Sequence, residues 1–291
     1  MFSGTLVALI TPFSDGQVDY QTLDELVEFQ IESGIDGIVP VGTTGESPTL
    51  SYDEHKKVIE RVVRIAKARV PVIAGTGSNS TAEAIELTEF AKRIGADASL
   101  QVCPYYNKPT QEGFFQHFKA IADEVDIPLV LYNIPGRCGG TGLAIETIQR
   151  LSEIENIVAV KEATGSLDLA SEIVSRCDIT LLSGDDSLTL PIASVGGKGV
   201  ISVVANIIPA DVKAMTDLIL EGDFASARKW HRKLFPLAKS MLSIATNPIP
   251  IKAAMDMLNM ASEELRLPMT PLDENQKNKL RSILRDYGLL E

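Results

Sequence analysis

Three observations predict an α/β chain wound as a TIM-type (β/α)8 barrel with a C-terminal helical extension. Eight short runs rich in Val, Ile and Leu recur along the sequence, and amphipathic helical patterns separate them. The runs begin at intervals of roughly 20 to 35 residues, the length of one βα unit. They also lack polar alternation, which suits parallel strands buried on both faces.

In order, the runs are 5–10 (TLVALI), 36–42 (DGIVPVG), 70–77 (VPVIAGTG), 98–105 (ASLQVCPY), 128–135 (PLVLYNIP), 157–164 (IVAVKEAT), 179–186 (ITLLSGDD) and 199–206 (GVISVVAN). Each ends in polar, Gly or Pro residues. The stretch 20–33 sets Leu23, Leu26, Val27 and Gln30 at helical spacing, and 53–69, 81–93 and 112–124 behave likewise. Gly34 and Gly95 follow two of these helices where a left-handed cap residue is expected. An open doubly wound sheet is the rival architecture, but eight consecutive units with no obvious reversal favour closure. Beyond about Phe224 the strand signal stops, and 225–244, 250–259 and 271–287 read as helices broken at Asn247-Pro248 and Leu267-Pro268. The expected division is a catalytic barrel over 1–223 and a helical part over 224–291, packed on the barrel.

Composition narrows the function. The 291 residues are 45% hydrophobic, enough for a large core, and their net charge is -12. Such an acidic surface repels phosphate backbones and anionic lipid, so neither nucleic acid nor a membrane is the expected partner. No apolar run approaches the roughly 18 residues needed to cross a bilayer. Met1 to Phe13 show no Lys or Arg ahead of the apolar residues, so no secretory leader is expected. Cys103, Cys138 and Cys177 have no CxxC spacing and cannot pair completely, which suits a reduced, cytoplasmic protein.

In a (β/α)8 barrel, functional groups sit at the C-terminal ends of the strands and in the loops that follow. The second run leads into Gly42-Thr43-Thr44-Gly45-Glu46, the fourth ends at Tyr105-Tyr106-Asn107, and the fifth supplies Tyr132, Asn133 and Arg137. The sixth carries Lys161 and Glu162, the seventh Gly184-Asp185-Asp186, and the eighth Asn206. Lys161 is the informative residue, because it interrupts an apolar run. An ordinary lysine leaves only about 0.04% free amine at neutral pH. Burial that lowers its pKa by about three units makes roughly half of it neutral, and a neutral amine attacks carbonyls to form a Schiff base. The bland reading is a lysine that snorkels outward or pairs with Glu162. Three strand-end hydroxyls, Tyr132, Thr43 and Tyr106, could relay the protons such chemistry needs. The Gly42–Gly45 turn offers amides and hydroxyls to a carboxylate but lacks a nucleotide-binding pattern. Arg137 could hold a second carboxylate.

His55, His117 and His231 all fall within helical stretches, so strand-end zinc chemistry is not expected and no metal is assigned. Asp185-Asp186 reads as a capping pair. It also places acids where barrel enzymes often hold phosphate, which argues against a phosphorylated substrate.

Taken together, GTTGES, CPYYNKP, LYNIPGRCG, VKEATG, LLSGDD and GVISVVAN resemble the pyruvate-dependent class I aldolase (N-acetylneuraminate lyase) superfamily, and within it the 4-hydroxy-tetrahydrodipicolinate synthase (dihydrodipicolinate synthase) family. The likeness runs over essentially the whole chain. It implies a lyase of diaminopimelate and lysine biosynthesis in which pyruvate forms a Schiff base on Lys161 and attacks L-aspartate 4-semialdehyde, with no cofactor. It implies a proton relay of Thr43, Tyr132 and Tyr106, the last reaching in from a neighbouring subunit. Thr44 and Ile201 match pyruvate-contacting positions, Gly184 a backbone position near the 2-oxo acid, and Arg137 the residue that holds the aldehyde's carboxylate. The resemblance further implies a homotetramer, a dimer of dimers, in the cytoplasm. Feedback inhibition by L-lysine is implied at Ser47, Pro48, Tyr52, His55, Asn79, Glu83 and Tyr105. Tyr52 stands where many lysine-sensitive relatives have His, so a retuned site is expected.

Two alternatives stay open at this level. One is a related aldolase, such as N-acetylneuraminate lyase or a 2-keto-3-deoxy sugar acid aldolase, which would share Lys161 and Tyr132 but take a polyol acceptor. The other is a non-catalytic sensor of 2-oxo acids, for which a complete set of Lys161, Tyr132, Tyr106 and Thr43 would be superfluous.

Overall fold

A computed structural model describes residues 2–291. The eight barrel strands are β1 (Gly4–Ala8), β2 (Gly37–Val39), β3 (Ile73–Gly75), β4 (Ala98–Val102), β5 (Leu129–Asn133), β6 (Ile157–Glu162), β7 (Thr180–Ser183) and β8 (Gly199–Ser202). Neighbours along the chain pair in parallel, and β8 returns to pair with β1. Between β2 and β3 the ladder reduces to one bridge, Ile38 to Val72, flanked by hydrogen bonds from Ile38 to Pro71 and from Gly75 to Pro40. The sheet is therefore nearly closed. The runs read from the sequence overshoot the strands mainly at their C-terminal ends, because those residues turn out of the ladder into the loops of the mouth. A small hairpin, Phe13–Ser14 against Gln17–Val18, carried too few residues to register as periodicity.

The helices are α1 (Tyr20–Glu32), α2 (Tyr52–Ala66), α3 (Thr81–Arg93), α4 (Gln111–Glu124), α5 (Ile145–Ser152), α6 (Leu167–Arg176), α7 (Thr189–Ser194), α8 (Pro209–Leu220), α9 (Phe224–Ser243), α10 (Ile249–Met257) and α11 (Glu274–Tyr287). Side-chain oxygens of Asp19, Ser51, Ser80, Thr110 and Ser166 accept first-turn amides and fix where α1, α2, α3, α4 and α6 begin. Gly34 and Gly95 end α1 and α3 with φ of 80° and 86°, a conformation open to glycine at no steric cost.

Successive strand residues face opposite sides. Inside the barrel, Leu6, Ala8, Val39, Ala98, Leu100, Val130, Tyr132, Ala159, Leu182 and Ile201 pack together. Outward-facing residues pack on the helical shell. The buried faces of α9, α10 and α11, including Leu237, Ile251 and Leu280, belong to the same apolar cluster as α1, α2 and α8. The C-terminal helices thus share the barrel's outer core. Among the described residues, no helix is long and apolar enough to cross a membrane.

Candidate active site at the barrel mouth

Lys161 is the fifth residue of β6 and lies two positions beyond Ala159 on the inward face. Tyr132 of β5 is its direct cross-strand neighbour. The period of two sends Glu162 to the opposite face. There Glu162 accepts Asn133 Nδ2 at 3.1 Å and the Thr164 amide at 2.5 Å, while burial pushes its carboxyl up. The pairing of Lys161 with Glu162 allowed by the bland reading does not occur. Lys161 is only 6% exposed, and among the described residues no carboxylate lies within ion-pair distance of it. Its Nζ sits 4.1 Å from the centroid of the Tyr132 ring. Burial pulls the ammonium down to about 7, with Asp186 opposing and Arg137 adding to the shift. That side chain lines the cavity of the barrel mouth.

Gly184, just past β7, makes room for that chain. A Cβ there would stand 2.7 Å from Ala163 Cβ, 3.0 Å from Glu162 O and 3.2 Å from Lys161 Cε, so a side chain would collide with the end of β6 and crowd the lysine stem. The Gly184 amide donates to Glu162 O at 2.7 Å. Asp186 is held by Ser202 Oγ at 2.5 Å and by the amides of Val203 and Val204, and Asp185 caps Ser187. These acids hold loops together, with Asp186 close enough to be felt by Lys161.

Tyr132 and Thr43 stand together in the lining of one cavity, and burial pushes the Tyr132 phenol up to about 12, the nearby Thr43 side chain opposing. Tyr132 therefore keeps its phenol proton near neutrality, with the Thr43 hydroxyl as its neighbour in the cavity. Thr43, Thr44, Tyr132, Arg137, Lys161 and Gly184 line one cavity of about 100 Å³, joined by Val203, Leu242 and Asn247. A wider vestibule of about 410 Å³ opens above it, walled by Arg137, Thr164 and Thr246. Ile201 does not line the cavity. It packs beneath, in the barrel interior with Tyr132. Tyr106 is also outside it, 89% exposed with φ of 70°. Cys138 is buried beside the site with its thiol donating to Cys103 O at 3.0 Å, and burial pushes it up to about 11, so it packs rather than reacts.

A second cavity, about 170 Å³, is lined by Ser47, Pro48, Tyr52, His55, Glu83 and Tyr105 among others. Burial lowers His55, so its neutral ring donates Nε2–H to Gly75 O at 2.7 Å. Tyr52 is pushed up to about 12, first by burial and then by the negative charge of nearby Glu83. Ser78 Oγ also donates to Glu83, at 2.8 Å. Asn79 stands at the rim and donates to Tyr105 O at 3.1 Å. A narrow space of about 30 Å³ shares Thr43 and Tyr132 with the first cavity and Ser47 and Gly77 with the second.

Three residues from the C-terminal helical part were not assigned to the site from sequence. Asn247 Nδ2 donates to Thr44 Oγ1 at 3.0 Å across 203 residues of chain, and Asn247 O accepts Arg137 Nη2 at 3.0 Å. Thr246 Oγ1 accepts the same Nη2 at 3.3 Å. Leu242 forms cavity wall. The only signal was Asn247-Pro248, which read as a break between helices. Among the described residues, no group of three His, Cys, Asp or Glu is placed to hold a metal ion.

This geometry stands beside matches to known proteins. The model of the dihydrodipicolinate synthetase family matches residues 1–287. The 4-hydroxy-tetrahydrodipicolinate synthase of Geotalea uraniireducens is 56% identical, covering 100% of both chains. Among solved structures, the dihydrodipicolinate synthase (DHDPS) of Aquifex aeolicus superposes with a TM-score of 0.97 at 52% identity over 99% of each chain. The chloride-inhibited dihydrodipicolinate synthase of Acinetobacter baumannii, complexed with pyruvate, gives 0.97 at 45% over 100% of each. The DHDPS of Cyanidioschyzon merolae with lysine bound gives 0.95 at 40% over 99% of each.

Proposed function

This chain is a lyase that belongs to the dihydrodipicolinate synthetase family, and from that premise we propose that it joins pyruvate, held as a Schiff base on Lys161, to L-aspartate 4-semialdehyde. The observation that carries the reading is a buried lysine, without a carboxylate partner and with its ammonium pulled down by burial, in the lining of a cavity sized for a small acid.

In this mechanism the Lys161 nitrogen attacks C2 of pyruvate, and the Tyr132–Thr43 pair carries protons as the carbinolamine loses water. Loss of a proton from C3 leaves an enamine, whose carbon bonds to the aldehyde carbon of the second substrate. The Thr43–Thr44 turn binds the pyruvate carboxylate, Gly184 leaves room beside it, and Ile201 supports Tyr132 from below. Arg137, steadied by Thr246 and Asn247, binds the carboxylate of the acceptor. A polyol acceptor would call for hydroxyl-bonding side chains where Arg137 stands. The pyruvate complex of the Acinetobacter baumannii enzyme supports the choice of 2-oxo acid.

Tyr106 extends its ring into solvent from a left-handed backbone, which fits a side chain that completes the relay in a neighbouring subunit of a dimer. Leu167 and Val174 of α6 leave an apolar stripe exposed for a second contact, giving a dimer of dimers. The cavity at Tyr52, His55 and Glu83 is proposed as an L-lysine inhibitory site, supported by the lysine-bound relative. Glu83 receives the ammonium, and Tyr52, beside Glu83 in the same lining, competes for it and weakens inhibition. The assembly works in the cytoplasm on the diaminopimelate route.

Borohydride reduction in the presence of pyruvate, followed by mass spectrometry, tests the central step. A stable adduct is expected on Lys161 and none after Lys161→Ala; an adduct elsewhere sinks the mechanism. Comparing aspartate semialdehyde with sugar aldehydes as acceptors then decides the second substrate.

A further inference from the structure

The turn that carries Thr43 and Thr44 ends in a residue for which the proposed chemistry has no use. Glu46 is fully buried, stands in the left-handed region at φ 55°, and forms an ion pair with the fully buried Lys252 of α10. The second carboxylate oxygen accepts the Arg266 amide at 3.2 Å. Lys252 Nζ also donates to Glu264 O at 2.8 Å and lies 4.1 Å from the centroid of Phe13. A carboxylate, a carbonyl and an aromatic face therefore surround the ammonium.

A left-handed, non-glycine residue persists only where its surroundings over-determine it. A buried ion pair does little for net stability, since apolar residues of similar volume often serve as well; its best-attested use is to fix one element against another. Here the two elements both reach the site. The turn is closed by the Glu46 amide on Thr43 O at 3.2 Å and pinned by Thr11 Oγ1 on Gly45 O at 2.7 Å. Five residues before Lys252, Asn247 touches both Thr44 and Arg137.

We propose that Lys252 and Glu46 are positioning residues for the reaction: their buried pair locks the C-terminal helices onto the Thr43–Glu46 turn and sets where Thr44 and Arg137 hold the two substrates' carboxylates. The inference rests on the proposed use of Lys161.

The test uses the intact protein and two substitutions, Glu46→Gln and Lys252→Met. Pyruvate is titrated, the Lys161 adduct is trapped with borohydride, and the half-saturating concentration is read by mass spectrometry alongside the melting temperature. Each single variant is expected to raise half-saturation by at least about tenfold, the scale of loss when a binding group moves by a fraction of an ångström. Adduct yield at saturation and the pH of half-maximal trapping are expected to stay as in the wild type. The double variant should lose no more than the worse single one, because both changes break one interaction. A lower melting temperature with half-saturation within about twofold of the wild type would mark a merely structural pair and overturn the inference. Additive losses in the double variant would overturn it as well. Should Lys252→Met fail to fold, Glu46→Gln decides alone, since it keeps shape and removes only the charge. A wild type that traps no pyruvate would remove the Schiff-base reading and this inference together; trapping with unmoved half-saturation removes only this one.

Discussion

Lys161 on β6 and Lys252 on α10 are both withdrawn from water, and both lie about 4 Å from an aromatic ring. Burial pulls each ammonium down, to about 7 for Lys161 and about 8 for Lys252. What separates them is the company they keep. Lys252 meets Glu46 directly, and that carboxylate pulls the proton back, so the side chain stays a cation near neutrality. Lys161 feels only the more distant Asp186, against the opposing charge of Arg137. The same residue type at similar depth is thus ion-paired in one place and without a contacting carboxylate in the other.

The sharpest break in that comparison is chemical. Lys161→Met should abolish the trapped pyruvate adduct and lower lyase turnover on the order of 10⁴-fold or more, as expected when a covalent nucleophile is lost. Lys252→Met should still form the adduct at saturating pyruvate. An adduct surviving in the first variant would end the contrast.

Stability should move in opposite directions. The unfolded chain holds the Lys161 proton up to about 10.5, whereas the folded chain releases it near 7. Between those values the unfolded state binds more protons, so folding stability rises with pH across that window; below it the penalty of burying the cation is fully present. Lys161→Met should therefore stabilise the protein by roughly 3 to 5 kcal/mol at pH 6 to 7, with the gain fading toward pH 10.5. Lys252→Met leaves Glu46 buried and unpaired and should destabilise by about 3 to 5 kcal/mol. Urea denaturation of both variants at pH 6.5 and 9.5 measures signs and trend.

A smaller effect concerns Arg137. Its replacement by Met should raise KM for the acceptor about 100-fold, the loss of a charge-assisted pair, while KM for pyruvate changes little. A proportionate rise in both constants would mean that Arg137 shapes the whole cavity rather than one subsite.

The finest test is the pH of half-maximal trapping, expected near 7 in the wild type, with trapping increasing as pH rises through it. Arg137→Met should move this midpoint up by removing a like charge, and Asp186→Asn should move it down by removing an opposite one. Shifts in the reverse sense would show that other groups set the amine's protonation.

Much of this was legible in the chain. The eight strands declared themselves through apolar runs, and Lys161 stood out because it broke one. Its separation from Glu162 follows from strand geometry alone, since adjacent residues face opposite sides of a sheet. The hairpin at Phe13 and the exact strand ends were less legible, because two- and three-residue ladders leave no periodic trace. Asp186 showed in the sequence as an acidic pair, yet its grip on Val203 and Val204 came only with the closed barrel.

Local pattern, then, determined by itself the order of strands and helices and the positions at the mouth, because periodicity and strand-end placement are properties of neighbours in the chain. Whether a buried lysine has a carboxylate beside it is not such a property. Asn247 meets Thr44 across 203 residues, and Lys252 finds Glu46 over a similar span, in a core where dozens of apolar contacts choose the meeting point. Contacts of that range follow from how the C-terminal helices dock on the barrel, so tertiary packing alone decided which lysine has a carboxylate against it and which does not.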